Sequence, residues 1–120
     1  MSKILLIDDD PDVRTVMSHM LNKEGYAVRT ASGREEALTL VGEEKPDLIL
    51  LDVLLSGSDG RNFCRELKAN EATSTIPIII FSGHPSAGQQ FEAYGADDFI
   101  AKPVNTAALL LKLNQKMKTA

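Results

Sequence analysis

Two apolar runs in this chain each deliver carboxylates. Ile4-Leu5-Leu6-Ile7 is followed by Asp8-Asp9-Asp10, and Leu48-Ile49-Leu50-Leu51 by Asp52. A run without polar alternation reads as a strand covered on both faces, as in a parallel sheet flanked by helices. An ionised carboxylate is costly inside such a layer, so these acids belong where the strands emerge. In open α/β sheets that carboxyl edge is where ligands bind. If the two strands are parallel neighbours, three or four carboxylates converge on one edge. Such a cluster repels itself unless a cation or a proton intervenes.

The elements that must hold those acids can be read outward from them. Lys3–Ile7 is the first strand. Asp10 then Pro11 suits an N-cap followed by proline at the first helical position. Val13, Val16, Met17, Met20 and Leu21 follow at i, i+3, i+4, i+7 and i+8, a single apolar stripe. Gly25 ends that helix at C′. Ala27–Ala31 is a strand of weaker apolar character, which places it toward an edge. Ser32-Gly33-Arg34-Glu35 reads as a capping box, opening a second helix through Ala37, Leu38 and Val41.

Pro46 closes the loop before the strand that ends in Asp52. Leu54-Leu55-Ser56-Gly57-Ser58-Asp59-Gly60 is loop chemistry. Phe63, Cys64 and Leu67 stripe a short third helix, and residues 70–75 are a polar connection. Ile78-Ile79-Ile80-Phe81 is another doubly covered strand, ending in Ser82-Gly83-His84. Ser86–Tyr94 predicts a weak helix, with Gly88 inside it and only Phe91 and Tyr94 large and apolar. Gly95 stops it. Asp98–Ala101 is a fifth strand and delivers Lys102-Pro103. Asn105 caps a last helix anchored by Leu109, Leu110, Leu113 and Met117. Five strands alternating with five helices predict an α/β fold with a parallel, doubly covered sheet.

Composition sets the bounds. At 120 residues one domain is expected, over 1–120, with a core that needs no staples. Thirteen basic against 17 acidic residues give −4, which disfavours non-specific nucleic-acid binding. The single cysteine, Cys64, excludes an intramolecular disulfide and a cysteine metal cluster and fits a reducing compartment. No apolar run approaches membrane-spanning length, and no signal-peptide pattern precedes the first strand. A soluble cytoplasmic domain is the expectation. With the last helix ending near Ala120, no output domain is expected within the chain.

The strand ends together carry Asp8, Asp9, Asp52, Ser82 and Lys102. With the Asp59-Gly60 pair seven residues after Asp52 and Lys102-Pro103 after the fifth strand, the chain resembles the receiver domain of bacterial two-component response regulators. The resemblance runs from Lys3 to about Met117. Each piece alone is common, but all of them in order at these spacings are specific. It implies a flavodoxin-like sheet with strand order 2-1-3-4-5 and five flanking helices.

It also implies roles. Asp52 would be the nucleophile that accepts a phosphoryl group as an acyl phosphate. Asp9 and Asp52, with the backbone carbonyl of Leu54, would bind Mg²⁺ directly, and Asp8 mostly through a water. Lys102 and the metal would offset charge on the phosphoryl oxygens. Ser82 would donate to the phosphoryl group, and Phe99 occupies the family's aromatic switch position. The phosphoryl donor would be a sensor histidine kinase or a histidine phosphotransfer protein. The signal would be a changed surface around the fourth helix, fifth strand and last helix, read by a downstream protein target. A monomer or a weak dimer through that surface is implied, with no direct contact to nucleic acid or membrane. The chain would be a signalling phosphoacceptor, acting only on its own acyl phosphate.

Some residues have plain readings. Asp10 is the helix cap, Cys64 packs, and His19 and His84 lie on the surface. Ser56 and Ser58 replace the proline and large apolar residue common in the family, and Ser82 keeps the hydroxyl of the commoner threonine. Leu54 and His84 occupy positions that influence acyl-phosphate hydrolysis in the family. Two other classes stay open. Asp8-x-Asp10 superficially matches the nucleophile motif of a small haloacid-dehalogenase-like phosphatase using Asp8. A degenerate receiver would instead be a binding module independent of phosphorylation.

Overall fold

The computed structural model describes residues 2–55, 58–83 and 91–117. Five parallel strands form one sheet: β1 (Lys3–Ile7), β2 (Ala27–Ala31), β3 (Leu48–Asp52), β4 (Ile78–Ser82) and β5 (Asp98–Ala101). Their spatial order is β2-β1-β3-β4-β5, so the weakly apolar β2 does lie at an edge. Every residue of β3 and β4 is buried, as their unbroken apolar runs require. Register decides what meets at the carboxyl edge. Ile7 lies opposite Leu51, which brings Asp8 level with Asp52. Asp52 pairs with Phe81, and Ser82 with Ala101, so the chain leaves β5 at Lys102 beside the end of β4.

Alternation splits the core into two layers. Leu5, Ile7, Ile49, Leu51, Ile78 and Ile80 face α2 (Arg34–Glu43) and α3 (Gly60–Ala69). Ile4, Leu6, Leu48, Leu50, Ile79 and Phe81 face α1 (Pro11–Lys23) and the last helix, α4 (Thr106–Met117). Each such side chain taken fully out of water contributes roughly 1.5–3 kcal/mol before entropy is counted.

Helix ends follow the chemistry of their caps. The Asp10 carboxylate accepts from the Asp12 N–H at 2.9 Å with Pro11 at the first position. Gly25, just past the end of α1, has φ +97°, a conformation side chains disfavour. The Asn105 side chain accepts from the Ala108 N–H at 3.0 Å. The second helix starts one residue later than a Ser32 cap requires. Gly33 is the N-cap, with no side-chain cap, and Glu36 rather than Glu35 is the third helical residue. It is the Glu36 carboxylate that accepts from the Ser32 N–H, at 2.7 Å.

Three further expectations change. Val16 is not core: it is 66 % exposed, because α1 turns only Met17 and Leu21 fully inward. With Val13, Met20, Pro103 and Val104 it lines an apolar groove of about 440 Å³. Leu54–Leu55 and Ser58–Asp59 form a short antiparallel ladder where plain loop was expected. Of the expected Ser86–Tyr94 helix, Phe91–Tyr94 is a 3₁₀ turn ended by Gly95 at φ +87°; residues 84–90, His84 among them, lie outside the described residues. Ser56 also lies outside them. The described residues thus hold four α-helices and this turn. None of their helices is long and apolar enough to cross a membrane. Cys64 is buried on α3, and burial pushes its thiol up to about 11.

Candidate functional site

The carboxyl edge of β1 and β3 gathers Asp8, Asp9 and Asp52, with one ligand oxygen from each lying within 4.8 Å of the others. Asp8 and Asp52 are buried and Asp9 is exposed. Asp8 is held on four sides. Its N–H donates to the Ala31 carbonyl at 3.1 Å, and its Oδ1 accepts from the Asp10 N–H at 2.9 Å. Its Oδ2 meets the Lys102 ammonium at 3.2 Å, and its carbonyl accepts from the Arg14 guanidinium at 2.7 Å. Asp10 is absent from the trio because its carboxylate caps α1, so the Asp8-x-Asp10 pair is not assembled as a site.

Lys102 reaches this edge from β5, 94 residues beyond Asp8 in sequence. Its ammonium lies 3.2 Å from Asp8 and 3.5 Å from Asp52, and 4.9 Å from the centroid of the Phe81 ring. One cation thus bridges the two buried carboxylates and offsets part of their repulsion. The donor set fits Mg²⁺, which prefers hard oxygen ligands spaced roughly 3–4 Å apart around an octahedron and keeps several waters. Asp8, Asp9 and Asp52 offer those oxygens, and the exposure of Asp9 leaves a side open to water.

Ser82 is buried at the end of β4, and its carbonyl accepts from the Lys102 N–H at 2.9 Å. Parity along the strands sets Ser82 and Phe99 on the face that packs α2 and α3, with Phe99 half-buried against the layer that contains Ile80 and Tyr94. Leu54 lies two residues beyond Asp52, its backbone paired with Asp59 in the short ladder. Asp59 caps α3, accepting from the Arg61 N–H at 2.8 Å, and the Arg61 guanidinium holds that carboxyl below its usual range.

Two residues near the acids escape a reading of local pattern: Arg14 and Phe81. Phe81 looks like ordinary core. Arg14 carries a signal only in hindsight, since helix side chains point back toward the N-terminus and a long cation in the first turn of α1 must overhang the acid loop.

Known proteins agree with this arrangement. The family model of the response regulator receiver domain matches residues 4–114. The transcriptional regulatory protein AfsQ1 of Streptomyces coelicolor is 38% identical over 111 residues, which cover 91% of this chain and 48% of that protein. The chain therefore spans about half the length of that relative. Among solved structures, the receiver domain of NtrX from Brucella abortus superposes with a TM-score of 0.89 at 32% identity, covering 98% of this chain and 99% of that one. Vibrio cholerae chemotaxis protein CheY4 does so at 0.88 and 31% identity, covering 96% and 98%. With the acids, the lysine and the strand order all in place, the chain belongs to the family of response regulator receiver domains.

Proposed function

We propose that the chain is the phosphoacceptor of a two-component phosphorelay, with Asp52 as the residue that takes the phosphoryl group. The observation that carries this reading is the Lys102 ammonium set between Asp8 and Asp52 at the edge where the three acids meet. A carboxylate oxygen of Asp52 attacks the phosphorus of a phosphohistidine. The new P–O bond forms as the N–P bond breaks, and its electron pair returns to the imidazole nitrogen. Lys102 leaves Asp8 to pair with the phosphoryl oxygens, and the Ser82 hydroxyl donates to one of them. Asp8, Asp9, Asp52 and the Leu54 carbonyl hold Mg²⁺, which when bound supplies positive charge against the phosphoryl oxygens.

The donor is a sensor histidine kinase or a histidine phosphotransfer protein. Once phosphorylated, Ser82 is drawn toward the phosphoryl group and Phe99 moves into the space it leaves. That biases the surface of the 91–94 turn, the fifth strand and the last helix, by which a downstream protein reads the signal. The setting is cytoplasmic, and association through that surface is weak or absent.

The test is phosphorylation by a small-molecule phosphodonor and by a phosphohistidine protein. Wild type should label only with Mg²⁺, and Asp52→Asn and Asp9→Ala should not label. Labelling that persists on Asp8 in Asp52→Asn would indicate a phosphatase-like nucleophile. No labelling of wild type from either donor would indicate a binding module. Hydrogen exchange with beryllofluoride should change most across residues 83–100; a maximum on α1 and α2 would overturn the switch.

A further inference from the structure

We propose that Arg14 is a positioning residue of the acid site, which sets the direction of Asp9 by clamping the peptide that joins Asp8 to Asp9. This rests on the reading of Asp8, Asp9 and Asp52 as a divalent-cation site. Asp9 is the one exposed acid of the trio, and among the described residues no hydrogen bond to its carboxylate is found. The backbone at Asp9 therefore sets the direction of its Cα–Cβ bond and with it which rotamers bring the carboxylate to the other two acids. The plane of the Asp8–Asp9 peptide is defined by the Asp8 carbonyl, and the Arg14 guanidinium donates to that oxygen at 2.7 Å.

The other groups of Asp8 are held from elsewhere: the N–H by Ala31, Oδ1 by Asp10 and Oδ2 by Lys102. Those three contacts fix the Asp8 side chain and the start of the turn. The Asp10 contact closes a turn around Asp9, yet none of the three takes the carbonyl oxygen of the Asp8–Asp9 peptide itself. Arg14 does, from the end of the first turn of α1, whose own start is pinned by the Asp10 cap and Pro11. A rigid helix thus reaches back and adds a second tie, at the Asp8 carbonyl, to the turn that carries Asp9. Groups that orient ligands in this way typically govern metal affinity by tenfold or more.

Charge and geometry predict opposite outcomes. Arg14 is a cation beside an anionic site that binds a dication, so by Coulomb's law alone its removal should tighten Mg²⁺ binding. If Arg14 positions Asp9, its removal should loosen it. Arg14→Met keeps the stem and the helix propensity but loses charge and donor; Arg14→Lys keeps the charge but loses the planar fork.

Mg²⁺ titrations of the full chain, followed by calorimetry and by the Asp9 and Asp10 amide resonances, measure the affinity without any phosphorylation. Arg14→Met should bind Mg²⁺ about tenfold more weakly than wild type, with Arg14→Lys between the two. Melting in EDTA should show both variants folded. Unchanged or tighter binding by Arg14→Met overturns the proposal, as does a uniform loss of melting temperature with the Mg²⁺ constant intact. If Arg14→Met does not fold, Arg14→Lys decides alone: weaker binding at constant charge supports positioning, and equal binding refutes it. Failure of wild type to bind Mg²⁺ would overturn the cation-site reading instead, and with it this one.

Discussion

Gly60 lies flat against the backbone of Asp52. A Cβ on Gly60 would overlap the Asp52 carbonyl oxygen and stand 2.9 Å from the Val53 Cα. The Gly60 N–H donates to the Val53 carbonyl at 2.7 Å, so α3 begins in direct contact with the strand end that carries the candidate nucleophile. Both atoms struck by a side chain are backbone, which cannot swing aside as a flexible side chain would.

Gly60→Ala should therefore push α3 away from β3, costing at least about 2 kcal/mol as overpacking does. Because the displaced strand end carries Asp52, phosphorylation should slow as well. Urea unfolding gives the first and small-molecule phosphorylation the second. Wild-type stability in this variant would mean that the close approach is not maintained in solution.

The three acids should respond differently to neutralisation. In EDTA, Asp9→Asn and Asp52→Asn remove charge from a self-repelling cluster and should raise the melting temperature, by about 4 °C per kcal/mol relieved. Asp8→Asn should lower it, since the buried Asp8 anchors both the Lys102 ammonium and the Asp10 N–H, and breaking such a pair costs roughly 1–3 kcal/mol. In excess Mg²⁺ wild type should gain about 2.7 kcal/mol at a hundredfold excess over its dissociation constant, and Asp9→Ala almost nothing. Thermal melts of the variants, with and without Mg²⁺, check the ordering; a stabilised Asp8→Asn would contradict it.

Lys102→Met separates two duties of one side chain. The methionine keeps the packing over Phe81 but takes the cation from between Asp8 and Asp52. Without its internal counter-ion the protein should melt several degrees lower in EDTA and bind Mg²⁺ more tightly, as a competing charge is gone. Phosphorylation should nonetheless fall at least about tenfold, because the ammonium that pairs with the phosphoryl oxygens is gone and Ser82 and the metal alone must offset their charge. Full activity in this variant would remove Lys102 from the chemistry.

Alkaline stability should report on Cys64. Burial raises its thiol from 9.0 to about 11, so between those values the unfolded chain loses a proton that the folded chain keeps. Unfolding is then increasingly favoured as pH rises, at up to about 1.4 kcal/mol per pH unit. Below pH 9 this contribution to stability is intact, and above about 11 it is lost. Cys64→Ala should show a flatter stability profile over that window in denaturant melts. The native thiol should also resist alkylation at pH 8 and react once the chain is unfolded; rapid native alkylation would be the contrary result.

Much of this was legible in one dimension. Leu48–Asp52 and Ile78–Phe81 have the unbroken apolar character that only a doubly covered strand tolerates, and buried carboxylates must follow such strands, not interrupt them. Asp10-Pro11, Gly25 and Asn105 mark helix ends because capping is local chemistry over three or four residues. The acid trio and Lys102 were identifiable by type and position at strand ends, and the family by their joint spacing.

What sequence periodicity could not decide was set by contacts between distant segments. The start of the second helix moved by one residue because Glu36, not Glu35, could reach the Ser32 N–H, a matter of backbone angle at Gly33. Val16 fits the apolar stripe of α1, yet the helix sits with Met17 and Leu21 inward and leaves Val16 over a groove, a choice made by packing against β1 and α4. The 2.7 Å bond from Arg14 to the Asp8 carbonyl and the seat of Lys102 between Asp8, Asp52 and Phe81 have no local signature. They exist because strand register brings the ends of β1, β3, β4 and β5 to one level, and register is a property of the sheet, not of any strand within it.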